Sequence, residues 1–254
     1  MKSRLGIRYF VILTLLTLPA IFSSCGSKGY QELPFGGMKG RVQKVTVTHK
    51  EPEMWHVGKT KTDVMSIDAL VYDLNGNEIC SAQMDSAGII LGEAESLFEN
   101  GVCIRSSQKS GNRVIARLSL VSQEKNKLVY NKEVLGNMVK MTVKKSSFGR
   151  RYKTEVIEDG KTVTISIIKT DHKGYPIKIN EKHPETGFEA HQFNVYDEDY
   201  NLIEKHVNTS DEEKEEIIYT KYSDFDEKGN WLEARTFNRN GFPVEVLVRE
   251  IEYW

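Results

Sequence analysis

A short phrase recurs along this chain and constrains its folding more than any other feature. An aromatic residue and an acid precede a few turn residues, Gly-Asn or its equivalent, and an apolar residue. The clearest copies are residues 72–77 (YDLNGN) and 225–230 (FDEKGN), and looser copies begin at Thr170 and Tyr196. A repeat of this kind specifies a supersecondary unit that cannot bury its apolar face alone. The phrase therefore predicts one domain built from adjoining copies of one unit.

Turn signals continue between the clear copies, at a spacing of roughly 12 residues. A second series of turns, including Asp159-Gly160 and Asn240-Gly241, falls between the copies of the phrase. Asp-Gly and Asn-Gly pairs supply the positive φ that tight hairpin turns need. Such regular turns, separated by alternating apolar and polar residues, predict consecutive short antiparallel strands.

The alternation predicts which side chains are covered, because successive residues of a strand point to opposite faces. We expect three strands to have the covered sets Val114, Ala116, Leu118 and Leu120; Val139, Met141 and Val143; and Val163, Ile165 and Ile167. No long stretch of the chain after residue 25 has the 3.6-residue period of a helix.

Counting the turns gives about sixteen strands, which is large for one open sheet. A flat sheet of this size would expose too much apolar area, so the sheet has to curl or close. The sequence therefore predicts an all-β fold. We expect an antiparallel meander of β-hairpin repeats that forms one large, strongly twisted or curled sheet, and the alternative is a closed barrel.

The first 24 residues have the features of a lipoprotein signal peptide. Basic residues precede an apolar run over residues 9–22, and Ser23-Ser24-Cys25 resembles the lipobox of bacterial lipoproteins. The resemblance implies cleavage before Cys25 and attachment of lipid to its sulfur; the alternative is an ordinary secretory signal. Residues 25–39 then form the lipidated cysteine and a flexible tether, and residues 40–254 form a single β-hairpin-repeat domain.

The charge of the mature chain limits its partners. Three of the 35 Lys and Arg residues lie in the signal segment, so the mature chain has 32 against 36 Asp and Glu, a net charge of −4. This balance argues against nucleic acid and against an anionic membrane surface as partners, because both attract basic proteins. We expect contact with the membrane through the N-terminal lipid. No acidic run follows Cys25, which favours the periplasmic face or the outer membrane over the cell surface.

The repeat domain is similar to the YD-repeat-like (RHS-repeat-like) bacterial lipoproteins of Gram-negative anaerobes. The residues that carry the likeness are the opening Gly40-Arg41-Val42-Gln43-Lys44-Val45, the Tyr-Asp phrases, and residues 224–231 and 249–254. The resemblance implies hairpin repeats and a location in the cell envelope. It implies no catalytic residues.

Motifs of catalysis and of cofactor or metal binding are absent from the sequence, which predicts a non-enzymatic protein without cofactors. Asp197-x-Asp199-x-Asn201 begins like a calcium loop, but it lacks the glycine and the final glutamate of one, and turn chemistry explains it better. His183 and His191 flank a turn and could approach each other. We predict no metal site and read both as exposed polar residues.

Aromatic residues crowd the C-terminal third. Packing within the sheet explains them by default, and the alternative is a binding face. The candidate interaction aromatics are Tyr196, Tyr222, Phe225, Trp231, Tyr253 and Trp254. Cys80 and Cys103 should lie on strands separated by a third strand, too far apart for a disulfide. We predict that both are unpaired and buried.

Two functions follow from these patterns. The first is a cell-envelope lipoprotein with a structural or interaction role, whose partner is an envelope protein or a glycan. The alternative is a carrier of a lipid or another hydrophobic ligand on a curled apolar face. The chain ends on an aromatic residue, as outer-membrane barrels do. However, Glu250 and Glu252 share the face of Trp254, which argues against a membrane-spanning barrel.

Overall fold

A computed structural model describes residues 38–52, 63–212 and 215–254. The predicted signal peptide, Cys25 and nearly all of the tether lie outside the described residues. The strands are β1 (Val42–Lys50), β2 (Val64–Tyr72), β3 (Glu78–Asp85), β4 (Ile90–Glu99), β5 (Val102–Ser110), β6 (Arg113–Glu124), β7 (Lys127–Val134), β8 (Asn137–Phe148), β9 (Arg151–Glu158), β10 (Lys161–Thr170), β11 (Pro176–His183), β12 (Phe188–Tyr196), β13 (Leu202–Thr209), β14 (Glu216–Phe225), β15 (Trp231–Asn238) and β16 (Pro243–Tyr253).

Sixteen strands pair antiparallel in chain order, and β1 closes the circuit by pairing with β16 as well as β2. The all-β meander is therefore confirmed. Of the two predicted shapes, the closed barrel is correct and the curled open sheet is not. Closure gives both terminal strands a hydrogen-bonded neighbour on each side, so neither is left as an exposed edge.

The recurring phrase forms one hairpin turn. Asp73 Oδ1 accepts hydrogen bonds from the backbone N–H groups of Asn75 and Asn77, at 2.8 and 2.9 Å, and Asp73 Oδ2 accepts one from Asn77 Nδ2 at 2.8 Å. Gly76 has the positive φ of +83° that this turn requires. The carboxylates at the start of the other copies accept backbone hydrogen bonds in the same way: Asp171, Asp197 and Asp226.

These four turns lie at one end of the barrel. Each follows an even-numbered strand, and in an antiparallel meander such turns share an end. We call this end, with residues 73–77, 171–175, 197–201 and 226–230, the Asp-turn end. The chain also enters β1 and leaves β16 there, since Val42 is paired with Tyr253.

The register defines one inner face, because residues opposite each other on antiparallel strands point to the same side. Leu118 is 3% exposed, whereas its neighbours Arg117 and Ser119 are exposed. The face of Leu118 can be followed through the pairs around the whole circuit. This inner face holds two buried clusters: Val102, Cys103, Leu118, Leu128, Tyr130, Met141 and Val143 on β5–β8, and Val42, Val45 and Tyr72 on β1 and β2.

The opposite, outer face is charged on most strands. The exceptions are β2 and β3, whose outer residues are apolar or cysteine: Ile67, Ala69, Val71, Cys80, Ala82 and Met84. Exposed Lys, Arg and Glu side chains stand in the middle of strands as well as near the turns. They include Glu95, Arg105, Arg117, Lys144, Lys153, Lys169, Lys178, Lys221, Arg235 and Glu250. Glu252, also on the outer face, forms an ion pair with Lys44 across the β1–β16 seam, at 3.0 Å.

Two sequence predictions about faces need correction. In β10 the isoleucines Ile165 and Ile167 are on the outer face, because they are paired with Glu155 and Lys153. A bulge between Thr162 and Thr164 breaks the simple alternation there. Both cysteines are free, as predicted, but only Cys103 is buried.

Cys80 is half-buried because it belongs to the outer face, where it is paired with Glu95. The two cysteines thus point to opposite sides of the sheet. Within the described ranges, no helix is long and apolar enough to cross a membrane.

The face assignment predicts unequal effects for two adjacent substitutions. Leu118→Ala removes a fully covered inner side chain and should lower the free energy of unfolding by about 2–4 kcal/mol. Ser119→Ala, on the exposed outer face, should change it by less than about 0.5 kcal/mol. Urea unfolding followed by circular dichroism measures both, and equal effects would contradict the assignment.

Candidate functional site

Three of the six candidate aromatics gather around one arginine on the inner face. The Cζ atom of Arg249 lies 3.4 Å from the centre of the Trp231 ring, and the Tyr222 ring centre lies 5.2 Å from that of Trp231. Tyr253 follows Arg249 by four residues on the same strand and face. The pairing of β14, β15, β16 and β1 therefore builds a guanidinium–aromatic cluster at the Asp-turn end.

Arg249 is a largely buried cation, and the carboxylate of Asp226 favours its charged form from beyond ion-pair distance. No carboxylate in the described part of the barrel forms an ion pair with it, and its Nε is buried without a hydrogen-bond partner. Burial lowers its pKa to about 10, and the nearby phenol groups of Tyr222 and Tyr72 oppose that shift. The side chain therefore stays charged at neutral pH, held by stacking on an aromatic ring.

Tyr196 and Tyr222 occupy equivalent positions on neighbouring repeats. The Tyr196 hydroxyl donates to the carbonyl of Pro176 at 3.1 Å, and the Tyr222 hydroxyl donates to that of Leu202 at 2.7 Å. Burial raises the pKa of each to about 12. Both hydroxyls thus fix one strand to the start of the preceding one.

Phe225 and Trp254 do not join the cluster. They are 49% and 55% exposed, respectively. Asp224 has a φ of +51°, so β14 is irregular immediately before Phe225. Tyr222, rather than the aromatic of the phrase itself, takes the inner position in this repeat, because it is paired with the buried Ala234.

Asn230 ties the last repeat to both chain ends of the barrel. Its Nδ2 donates to the carbonyl of Lys39 at 2.8 Å and to the Tyr253 hydroxyl at 2.7 Å, and its Oδ1 accepts from the Lys39 N–H at 2.7 Å. The Tyr253 hydroxyl in turn donates to Asp226. Burial is the largest cause that raises the pKa of Tyr253 to about 12, and the bond to Asp226 adds to it. We call these three side chains and the Lys39 backbone the clasp.

A second polar group on the inner face crosses the same seam. His49 Nδ1 is 2.6 Å from Glu245 Oε1, and His49 Nε2 is 3.1 Å from Asp68 Oδ2. Burial alone would lower the pKa of His49, but the two hydrogen bonds and charges of Asp68 and Glu245 outweigh it and raise the pKa to about 9. A protonated histidine thus links β16, β1 and β2.

Sequence reasoning missed Arg249 and the His49 group. The available signal was the series of every second residue in this segment, Leu247, Arg249, Ile251 and Tyr253, in which only Arg249 is charged. Asp68 and Arg249 are both opposite Val47, one on each side. That placement depends on the pairing of strands about 200 residues apart, which no local pattern reveals.

The histidines and acidic residues that the sequence offered as metal ligands do not come together in the fold. His183 is hydrogen-bonded to Glu181 at 2.6 Å on the inner face, whereas His191 is exposed on the outer face beside Asn180. Among the described residues, no group of three or more His, Cys, Asp or Glu side chains could hold a metal ion. An open hollow of about 380 Å³ lies at the Asp-turn end, beside Ile177, Tyr196 and Tyr200.

No protein-family model matches the sequence, and no curated protein matches it. Among solved structures, a porin-like protein from Bacteroides uniformis ATCC 8492 is similar, with a TM-score of 0.51 and 12% identity over 85% of this chain and 99% of that chain. A porin-like protein from Bacteroides vulgatus ATCC 8482 gives a TM-score of 0.44 and 10% identity over 84% and 98% of the two chains. At such identity, the first match shows that the two proteins share the barrel fold.

The clasp predicts that Asn230 and Asn201, which hold equivalent turn positions, contribute unequally to the free energy of unfolding. Asn230→Ala removes the bonds to Lys39 and Tyr253 from a buried site, and we expect it to lower the free energy of unfolding by about 2–3 kcal/mol. Asn201→Ala, at the same place in the β12–β13 turn, loses only its bond to Asp197 and should cost about 1 kcal/mol. Urea denaturation compares them, and equal losses would contradict the clasp.

The His49 group predicts a loss of stability in alkali. Because the folded-state pKa of about 9 exceeds the ordinary value of 6.5, its contribution is complete below pH 6.5 and is lost as the pH rises through 9. We expect the free energy of unfolding to fall on the order of 2–3 kcal/mol over that interval.

Unfolding by urea at a series of pH values measures this change. His49→Gln should flatten the pH dependence, and His172→Gln, at an exposed turn position, should leave it unaltered. A decline that persists in His49→Gln would show that another group is responsible.

Proposed function

We propose that this protein is a lipid-anchored, non-enzymatic protein of the cell envelope, whose barrel stands in water and presents an interaction surface. The observation that carries the proposal is the charged outer face of a closed barrel. Cys25 supplies the attachment through its lipid, and the periplasmic face or the outer membrane is the favoured location. The shared fold with a porin-like protein supports an envelope role at this coarse level.

The outer face is unsuited to lipid tails. Arg117, Lys144 and Lys221 stand near the middle of their strands and are exposed on that side. In a membrane-spanning barrel, a Lys or Arg on the lipid face costs about 2–4 kcal/mol at the midplane. Such residues on most strands, although not on β2 and β3, favour an aqueous setting, in which the inner face carries the apolar clusters.

The Asp-turn end is the favoured interaction surface. It holds the guanidinium–aromatic cluster of Arg249, Trp231 and Tyr222. Such a cluster can bind a partner that has both polar groups and surfaces that pack against aromatic rings. An envelope protein or a glycan fits this chemistry, because both offer acceptors for the guanidinium and faces for the rings.

The carrier alternative has weaker support. A carrier needs an unfilled apolar cavity of several hundred cubic ångströms. On β5–β8 the inner side chains pack against one another, and Leu128, Tyr130 and Met141 are at most 1% exposed. The hollow of about 380 Å³ is large enough, but it is open and lies at the rim.

Kinship with the YD-repeat-like lipoproteins is part of the proposal. Four copies of the phrase form turns with the same carboxylate hydrogen bonds, which supports an origin by repetition of one hairpin. The role follows from the surface rather than from this kinship, because the resemblance implies no activity.

Removal of the lipid site should release an intact, folded barrel into water. When the full precursor is expressed in a Gram-negative host, the wild type should fractionate with membranes. Cys25→Ser, which cannot be lipidated, should be soluble without detergent. Cys80→Ser, which alters a half-buried cysteine of the barrel, should remain with the membranes. Fractionation with mass spectrometry of the N-terminal peptide measures location and lipid together.

The opposite result would exclude the proposal. If Cys25→Ser is exported yet leaves the membrane only in detergent, the barrel itself is inserted. If the wild-type peptide carries no lipid, Cys25 is not the anchor.

A further inference from the structure

A row of cations crosses the outer face near the Asp-turn end. Lys169 on β10 is directly opposite Arg151 on β9 and Lys178 on β11. The row continues on both sides into aromatic residues, because Arg151 is paired with Phe148 and Lys178 with Phe193. We call Phe148, Arg151, Lys169, Lys178 and Phe193 the cationic row.

The three charges of the row have no carboxylate partner among the described residues. Nearby outer lysines do have partners, since Lys153 contacts Glu155 at 2.6 Å and Lys182 contacts Glu189 at 2.5 Å. Like charges directly opposite one another on adjacent strands destabilise a sheet. Three adjacent exposed cations therefore lower the stability of the sheet. They are also unexpected in a chain whose mature net charge is −4.

The aromatic residues at the two ends of the row are unusually exposed. Phe148 is 88% exposed at the β8–β9 hairpin, and Phe193 is 50% exposed. An exposed phenylalanine beside unpaired cations can enter the interfacial region of a bilayer while the cations meet phosphate groups. The row therefore combines the two chemistries that hold a protein surface against an anionic membrane.

We propose that the cationic row docks the barrel onto the phosphate headgroups of the membrane that holds its lipid anchor. This proposal rests on the lipid anchoring at Cys25 proposed above. The chain enters the barrel at the Asp-turn end, and Phe148 and Arg151 flank a turn at that same end. The fifteen residues 25–39 reach at most about 50 Å when extended, which lets this side of the barrel meet the bilayer.

The test uses the mature chain with Cys25→Ser, so that binding does not depend on lipid. Vesicles of phosphatidylglycerol and phosphatidylethanolamine should sediment the protein at low salt, and vesicles of phosphatidylcholine should not. Binding should weaken as salt is added, because exposed charges are screened. A protein with a net charge of −4 would otherwise be repelled by anionic vesicles.

Variants assign the binding to the row. Replacement of Arg151, Lys169 and Lys178 by Gln should weaken vesicle binding about 100-fold, at about fivefold for each cation. Replacement of Arg105, Arg113 and Lys221 by Gln removes the same charge from exposed sites elsewhere and should weaken it less than threefold. Phe148→Ala should weaken it several-fold. Circular dichroism confirms that each variant is folded.

Three outcomes would overturn the proposal: equal binding to phosphatidylcholine, an equal loss in both triple variants, or retention on dextran sulfate without binding to vesicles. The last result would assign the row to an anionic polysaccharide. Failure of the anchor is distinguished separately, because it appears as absence of lipid on the wild-type N-terminal peptide while vesicle binding by Cys25→Ser is unaffected.

Discussion

The pairing of β1 with β16 is the interaction on which the rest of the structure depends. It joins residues about 200 positions apart and converts a chain of hairpins into a closed surface with an inside and an outside. The protein reinforces this seam repeatedly. The clasp joins Asn230 to Lys39 and Tyr253 at one end, the His49 group crosses the seam on the inner face, and Lys44 and Glu252 bridge it on the outer face. A concentration of polar contacts is expected at this seam, because closing the longest loop of the chain has the largest entropic cost.

The repeated turn is the local unit that makes the meander possible. One carboxylate accepts hydrogen bonds from several backbone N–H groups of the turn. Each hairpin therefore reverses direction mainly through contacts within the turn itself. Departures from the phrase are informative. Tyr200 stands where other copies have glycine and has a φ of +67°, and its ring lies 4.5 Å from that of Tyr175 and beneath the Lys173 ammonium. Side-chain contacts thus offset the unfavourable backbone angle.

Closure also determines how the protein can meet a membrane. The outer face of this barrel has exposed ions on most strands, and its inner face has both apolar clusters and ion pairs, although the barrel shares its fold with a porin-like protein. Strand number and order are therefore insufficient to decide between a membrane-spanning and a water-exposed barrel. The chemistry of the outer face decides, and the exposed Lys and Arg side chains near the middle of several strands here are unsuited to lipid tails.

The sequence by itself determined the number of strands, their order and the chemistry of the turns, because these depend on a two-residue period and on hydrogen bonds within five residues. It also indicated that Cys80 and Cys103 would not be bridged. Only the tertiary structure decided that the sheet closes, that Ile165 and Ile167 face outwards, and that Arg249 stacks on Trp231. A single bulge inverts the two faces of a strand, and the register of distant strands brings separate residues together. Neither effect leaves a periodic signal in the chain.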